Sequence, residues 1–174
     1  MARVKLLEKE DVDPMVEEMY RKMEADGGEV INLMKALAHS PKICRDFNRM
    51  GVTLLLKGDL SPRLRELAIL RVGDLSKADY EWTKHVPIAI AAGAKQGQID
   101  ELSTWADSTL FDEQERAVLR FTDEVAANIK ASDDTFNKIA EFLSEKEIVE
   151  LTVTIGYYGM VCRVLETFEI ELES

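Results

Sequence analysis

The chain has 174 residues, 46% of them hydrophobic and 32% charged, a length and balance that suit one domain with a sizeable apolar core. Its net charge of −11 argues against a nucleic-acid binder, which displaces counterions with basic patches, and against binding to anionic membrane surfaces. An anionic substrate is compatible with that field only where local Arg or Lys offsets it.

The first residues, "MARVKLLEKEDVDP", turn acidic where a secretory signal would be apolar, and no segment approaches the roughly 20 apolar residues of a membrane span. A cytoplasmic location is the expectation. Helical periodicity starts next, in "VDPMVEEMYRKMEADGG". Met15, Met19 and Met23 recur four apart beside Val16 and Tyr20, Pro14 suits a first turn, and Gly27 and Gly28 end the element. "VINLMKALAHSPKICRDFNRMGVTLLLKG" reads as two helical pieces broken near Ser40 and Pro41. His39 lies at the end of the first piece, where a capping role is expected. In "DLSPRLRELAILRVGDL", Ser61 is a candidate N-cap with Pro62 at the first helical position.

A further helix is predicted from Ser76, where Ser76 and Asp79 form an S-x-x-D box, to about Gly93. Pro87 lies inside it and predicts a kink just after His85. "QIDELSTWA", "DEQERAVLRFTDEVAANI", "SDDTFNKIAEFL" and "SEKEIVELTVTIGYYGMVCRVLETFEIEL" follow, most with i, i+3, i+4 apolar spacing. "VELTVTIGYYG" is rich in β-branched residues, but its neighbours are all helical. The class is all-α, with about eight helices. "LSPRLRELAILRVG" (60–73) also resembles "LSEKEIVELTVTIG" (143–156), which hints at an internal helical-hairpin repeat.

The chemistry concentrates in "YEWTKH". On a helix, Ala78, Glu81, Trp82, His85 and Ala89 share one face, and Glu81 and His85 are an i, i+4 pair. If the preceding helix packs against this one as an antiparallel hairpin across "VGDL", Glu66 faces the pair. Two carboxylates and an imidazole in a partly dry pocket titrate as a coupled unit and can move protons without a cofactor. Each residue has a plainer use: a solvated Glu–His contact, Trp82 as a core anchor, Glu66 paired with Arg63. With two histidines and no H-x-x-x-H spacing, no metal is called for. Cys44 and Cys162 form no Cys-x-x-Cys pair and read as small buried hydrophobes.

These residues resemble the carboxymuconolactone decarboxylase family, in the superfamily that includes the alkylhydroperoxidase AhpD. The resemblance covers most of the chain. It rests on "DLSPRLRELAILRVGDLSKADYEWTKHVPIAIAAG", on "YEWxxHxxxA" with a downstream "GYYxMxxR", and on the lead-in "INLMKALAHSPKI". It implies an AhpD-like helical bundle with an internal repeat, assembled as trimers or hexamers. It also implies one domain over 1–174, with residues 1–55 as an N-terminal helical extension packed on it. The peroxidase branch has a Glu, eleven residues, Cys-x-x-Cys, three residues and His. Counted from Glu66, that spacing lands on Ala78, Glu81 and His85, so the Glu and His are present and both thiols are replaced. The pattern is closer to the decarboxylase branch, which removes CO2 from a lactone acid without a metal or organic cofactor. On that reading Glu66, Glu81 and His85 are catalytic, one glutamate orienting the imidazole, and Trp82, Arg71 and Arg163 contact a small organic acid or lactone. A thiol redox protein using Cys44 or Cys162 and a non-catalytic helical oligomer are the alternatives.

Overall fold

In the computed structural model, which describes residues 1–25 and 27–173, there are nine α-helices and two short 3-10 turns among the described residues, and no strand. In order they are α1 (Pro14–Ala25), α2 (Asn32–Leu37), α3 (Pro41–Leu56), α4 (Pro62–Ser76), α5 (Asp79–Ala91), α6 (Gln96–Asp100), α7 (Glu113–Asn128), α8 (Asp133–Ala140) and α9 (Glu145–Phe168). The β-branched stretch lies within α9. There Ile148, Leu151, Ile155 and Tyr158 are buried at helical spacing, so packing overrides strand propensity.

The chain forms two compact units, one of Met1–Lys57 with the residues from Val164 onward, the other of Gly58–Arg163. In the first, Val16 and Tyr20 take the core side of α1, while Met15 is exposed. The Tyr20 hydroxyl lies 3.3 Å from the Met34 carbonyl oxygen and 3.4 Å from that of Leu7. The C-terminal residues complete this unit: the Arg3 amide donates to the Phe168 carbonyl at 2.8 Å, and the Asn32 amide to the Glu173 carboxylate at 2.6 Å. His39 does not cap a helix; its Nε2 lies 2.8 Å from the Lys5 carbonyl oxygen and ties down the N-terminal segment.

The second unit is built around α4. Ten consecutive residues, Leu64–Gly73, are buried, because α5 and α7 both pack against this helix. A helix covered on several sides must be apolar nearly all round, so the charged residues it keeps inside are paired. Leu67 and Leu70 enter a core with Ala89, Leu102, Trp105, Phe111 and Leu119, against which Trp82 and Val86 pack.

The junction between α4 and α5 differs from the sequence expectation. Ser76 belongs to the last turn of α4 rather than starting α5, so Ser76 and Asp79 form no capping box. The apolar run carries α4 through Ser76, and Lys77 ends it in the left-handed region at φ 54°. The amide of Lys77 then donates to Asp74 and that of Ala78 to Gly73, which satisfies the terminal carbonyls. Helix α5 continues through Pro87 to Ala91.

Helix α9, at 24 residues, is the longest of the described helices. By length and composition it is long and apolar enough to cross a membrane, which corrects the expectation that no segment approaches a span. Half of its most apolar stretch is buried inside the protein, as in the core helix of a globular fold. Leu143-Ser144 leads into α9 as Leu60-Ser61 leads into α4, with both leucines buried. Where α4 folds back into α5, however, α9 runs on unbroken past Gly156.

Candidate active site

The hairpin of α4 and α5 sets the site. Gly73 faces α5, and an added Cβ would sit in ordinary van der Waals contact, 3.8 Å from the Glu81 Cβ and from the Trp82 amide nitrogen. Ala78 and Ala89, both fully buried, flank the same face of α5. These small residues bring the helices near enough for side chains two turns up the hairpin to meet. Glu81 and His85 lie one turn apart on α5, and Glu66 projects from α4.

All three converge on the imidazole. His85 Nδ1 lies 2.7 Å from Glu66 Oε2, and His85 Nε2 lies 3.0 Å from Glu81 Oε1. The side chains are 8% exposed for His85, 5% for Glu81 and 0% for Glu66, so Glu66 is the innermost of the three. Arg65 Nε donates to the other oxygen of Glu66 at 3.3 Å and is itself buried. The Tyr158 ring meets the imidazole edge-on, with centroids 5.0 Å apart and planes at 85°. Tyr157 packs on Tyr158 in the same manner at 5.3 Å.

Desolvation is the largest influence on His85 and lowers its pKa. The hydrogen bonds to Glu66 and Glu81, with the charges of the two carboxylates, together outweigh it, and the group is raised from 6.5 to about 9. At neutral pH the imidazole is therefore a cation with both N–H groups donating to carboxylates. Burial pushes the Tyr158 phenol far above its ordinary value, with the nearby Glu81 and Glu66 adding to the effect, so it stays protonated.

The other expected site residues lie elsewhere. Trp82 packs partly buried on the core and lines a cleft with Ala78, Lys77 and Ile99 rather than covering the imidazole. The guanidinium of Arg71 is committed to Asp123 and Asp74, and lies 3.4 Å from the carbonyls of Leu102 and Ser103, so it binds α4 to its neighbours. Arg163 lines a different cleft, at α9. Glu66 pairs with Arg65, whereas Arg63 pairs with the buried Glu115. Arg65 and Tyr158 are the members that sequence reasoning missed. Both stand in quoted motifs, "RLREL" and "GYYGM", but adjacency in the chain does not say which way either side chain turns. Cys44 and Cys162 are 0% and 2% exposed, and burial pushes the Cys44 thiol up to about 11. Among the described residues no three His, Cys, Asp or Glu side chains are arranged to hold a metal ion. At His85 both ring nitrogens already face carboxylates.

Residues 41–124, which contain this whole hairpin, match the model of the carboxymuconolactone decarboxylase family. By this stretch, just under half of its length, the chain is similar to the carboxymuconolactone decarboxylase family. A search of curated proteins finds no match. Among solved structures, an uncharacterized peroxidase-related protein with the AhpD core from Ralstonia eutropha is 19% identical, with a TM-score of 0.86 over 99% of this chain and 93% of that one. A protein of unknown function from Agrobacterium tumefaciens is 26% identical, with a TM-score of 0.73 over 79% of this chain and 95% of that one. The debrominase Bmp8, solved as a variant with 2,3,4-tribromopyrrole, is 18% identical, with a TM-score of 0.81 over 100% of this chain and 95% of that one. The carboxymuconolactone decarboxylase-like chain thus shares the all-α AhpD-like fold. Within that fold its hairpin carries Ala78 and Glu81 in the two positions where the sequence pattern of the redox branch places thiols.

Proposed function

We propose that the protein is a cofactor-free acid–base enzyme, a decarboxylase or related lyase, that acts on a small organic acid or lactone through Glu66, Glu81 and His85. The observation that carries this reading is the buried imidazole of His85 held between the carboxyl groups of Glu66 and Glu81 on a helical hairpin. Such a group holds a proton that neutral water would not leave on an ordinary histidine, and releases it into a site of low dielectric.

Loss of CO2 breaks the bond between the carboxylate carbon and its neighbour, and the electron pair passes into the substrate's unsaturation. A proton must then reach carbon. His85 supplies it from Nε2 once the substrate has taken the place of Glu81 against that nitrogen. Glu66 keeps Nδ1 fixed, and Arg65 keeps Glu66 fixed. Glu81, the carboxyl group that the substrate displaces from Nε2, returns a proton from water. One carboxylate and one proton are consumed, CO2 and a C–H bond are formed, and no oxidant or reductant is needed. The burial of both cysteines opposes thiol redox chemistry. Self-assembly belongs to the same proposal, since Ile88, Val149, Val153 and Met160 are exposed apolar residues.

A screen of lactone acids and β-keto acids for CO2 release tests the proposal. On a substrate so found, Glu81→Gln should lower kcat by about 10²–10⁴-fold, the usual weight of a positioned acid–base group. The Cys44→Ala/Cys162→Ala variant should turn over normally. Full turnover in a folded Glu81→Gln protein, or its loss on removing the thiols, would defeat the reading. A cluster that serves only the fold would yield no substrate while the same variants lose stability.

A further inference from the structure

A cleft of about 440 Å³ opens between the C-terminal turns of α4 and α7 and the middle of α9. That volume falls within the roughly 300–1,000 Å³ of small-molecule sites. Its walls carry Val72 and Leu75 from α4, Val125 from α7 and Ile155 from α9, with Ser76 as a neutral polar side chain among them. The lining contains no Asp or Glu and a single charged side chain, Arg163. In a chain of net charge −11, a cation without a neutralising carboxylate is unusual. Arg163 makes no ion pair among the described residues; its guanidinium donates to the Gly159 carbonyl one turn back, at 2.6 Å.

Two features of the backbone keep this space open. Gly156 lies in the lining, and a Cβ built on it would meet nothing within 4 Å. Mid-helix glycine is unfavourable by itself, so the open space at this position is not explained by the helix. Ile129 at the end of α7 is β-branched yet adopts φ 66°, where glycine or asparagine is usual, and it is 83% exposed. The strained turn leaves an apolar side chain bordering the cleft and largely in water.

We infer that this cleft is a binding site for an amphipathic monocarboxylate, its hydrocarbon part against Val72, Leu75 and Ile155 and its carboxylate on Arg163. The C-terminal turns of α4 and α7 contribute only about half a unit of negative charge each, and only within the last turn. A full guanidinium charge that donates two N–H bonds to a carboxylate outweighs them at its own end of the cleft. A dicarboxylate would place its second charge beside Val72, Leu75 and Ile155, where no second cation of the lining meets it. The inference stands on the cleft alone and is independent of the chemistry at His85.

Octanoate titrated into the full chain by calorimetry tests it, with octanol and octylammonium as uncharged and cationic probes. Octanoate should bind at least tenfold more tightly than octanol, and octylammonium should not bind. Arg163→Gln should erase the preference for octanoate. Gly156→Leu, which places a side chain in open space and improves the helix, should abolish binding in a protein that melts no lower than the wild type. No binding of millimolar octanoate, equal binding of octanol, or unchanged binding in Gly156→Leu would each overturn the assignment. So would a Gly156→Leu protein whose mass in solution falls while octanoate never binds. That outcome would mean that a second copy of the chain covers the cleft.

Discussion

Replacing His85 with leucine should destabilise the protein by about 3–5 kcal/mol and abolish turnover. The leucine fills the volume but leaves Glu66, which is completely buried, without its Nδ1 partner, and Glu81 without its Nε2 partner. Arg65 remains as the one cation against two carboxyl groups. Adding Glu81→Leu leaves the Arg65–Glu66 pair alone in the pocket and should recover part of the lost stability, while turnover stays absent. Urea denaturation of the single and double variants measures the effect. A His85→Leu protein that unfolds at the wild-type urea concentration would mean that the cluster carries no buried charge.

The second large effect is on the pH dependence of stability. His85 has a folded-state pKa of about 9 against an ordinary 6.5, so the folded protein binds its proton more tightly than the unfolded chain. Stabilisation from this group is complete below about pH 6.5, declines as the pH rises, and is gone above about pH 9. At about 1.36 kcal/mol per pKa unit, that interval corresponds to on the order of 3 kcal/mol. The groups facing the imidazole are Glu66, Glu81, Arg65 and Tyr158, and the phenol stays protonated across this range. Unfolding free energies measured from pH 6 to 9.5 should fall steeply for the wild type. The same curve for the His85→Leu/Glu81→Leu variant, which keeps only the Arg65–Glu66 pair, should be nearly flat over that interval. Parallel curves for the two proteins would contradict the shift.

Much of this arrangement is written in local patterns. The i, i+4 spacing of Glu81 and His85 and the alanines beside them need only helical geometry, and proline at the first turns of α1, α3 and α4 marks where those helices begin. The approach of Glu66 follows from a tight hairpin, and the short turn at Lys77 supplies it. What local pattern cannot give is the direction of residues that are buried on every side. Leu64–Gly73 are all inside, so α4 has no polar face to indicate which of its charges meets which partner. Arg65 is therefore indistinguishable in sequence from Arg63, although one holds the catalytic candidate and the other a carboxylate of α7. Arg71 misleads for the same reason, since Asp123, its main partner, lies far along the chain. The start of α5 differs from its sequence signal because a serine-led box suits a helix start, while the apolar content of α4 keeps Ser76 in its own last turn. Tyr158 reaches His85 from the far end of the second unit, a contact that no short-range spacing encodes.

The most direct test of the central claim is the protonation state of His85 itself. Nitrogen-detected NMR of the imidazole, with His39→Gln removing the other histidine signal, reports both ring nitrogens across a pH titration. A proton-donating centre predicts that Nδ1 and Nε2 both carry hydrogen at pH 7.5 and that the ring titrates near pH 9. It further predicts that Glu66→Gln moves this titration downward. A ring that is neutral at pH 7.5, with one bare nitrogen and a titration at or below 6.5, would contradict the account.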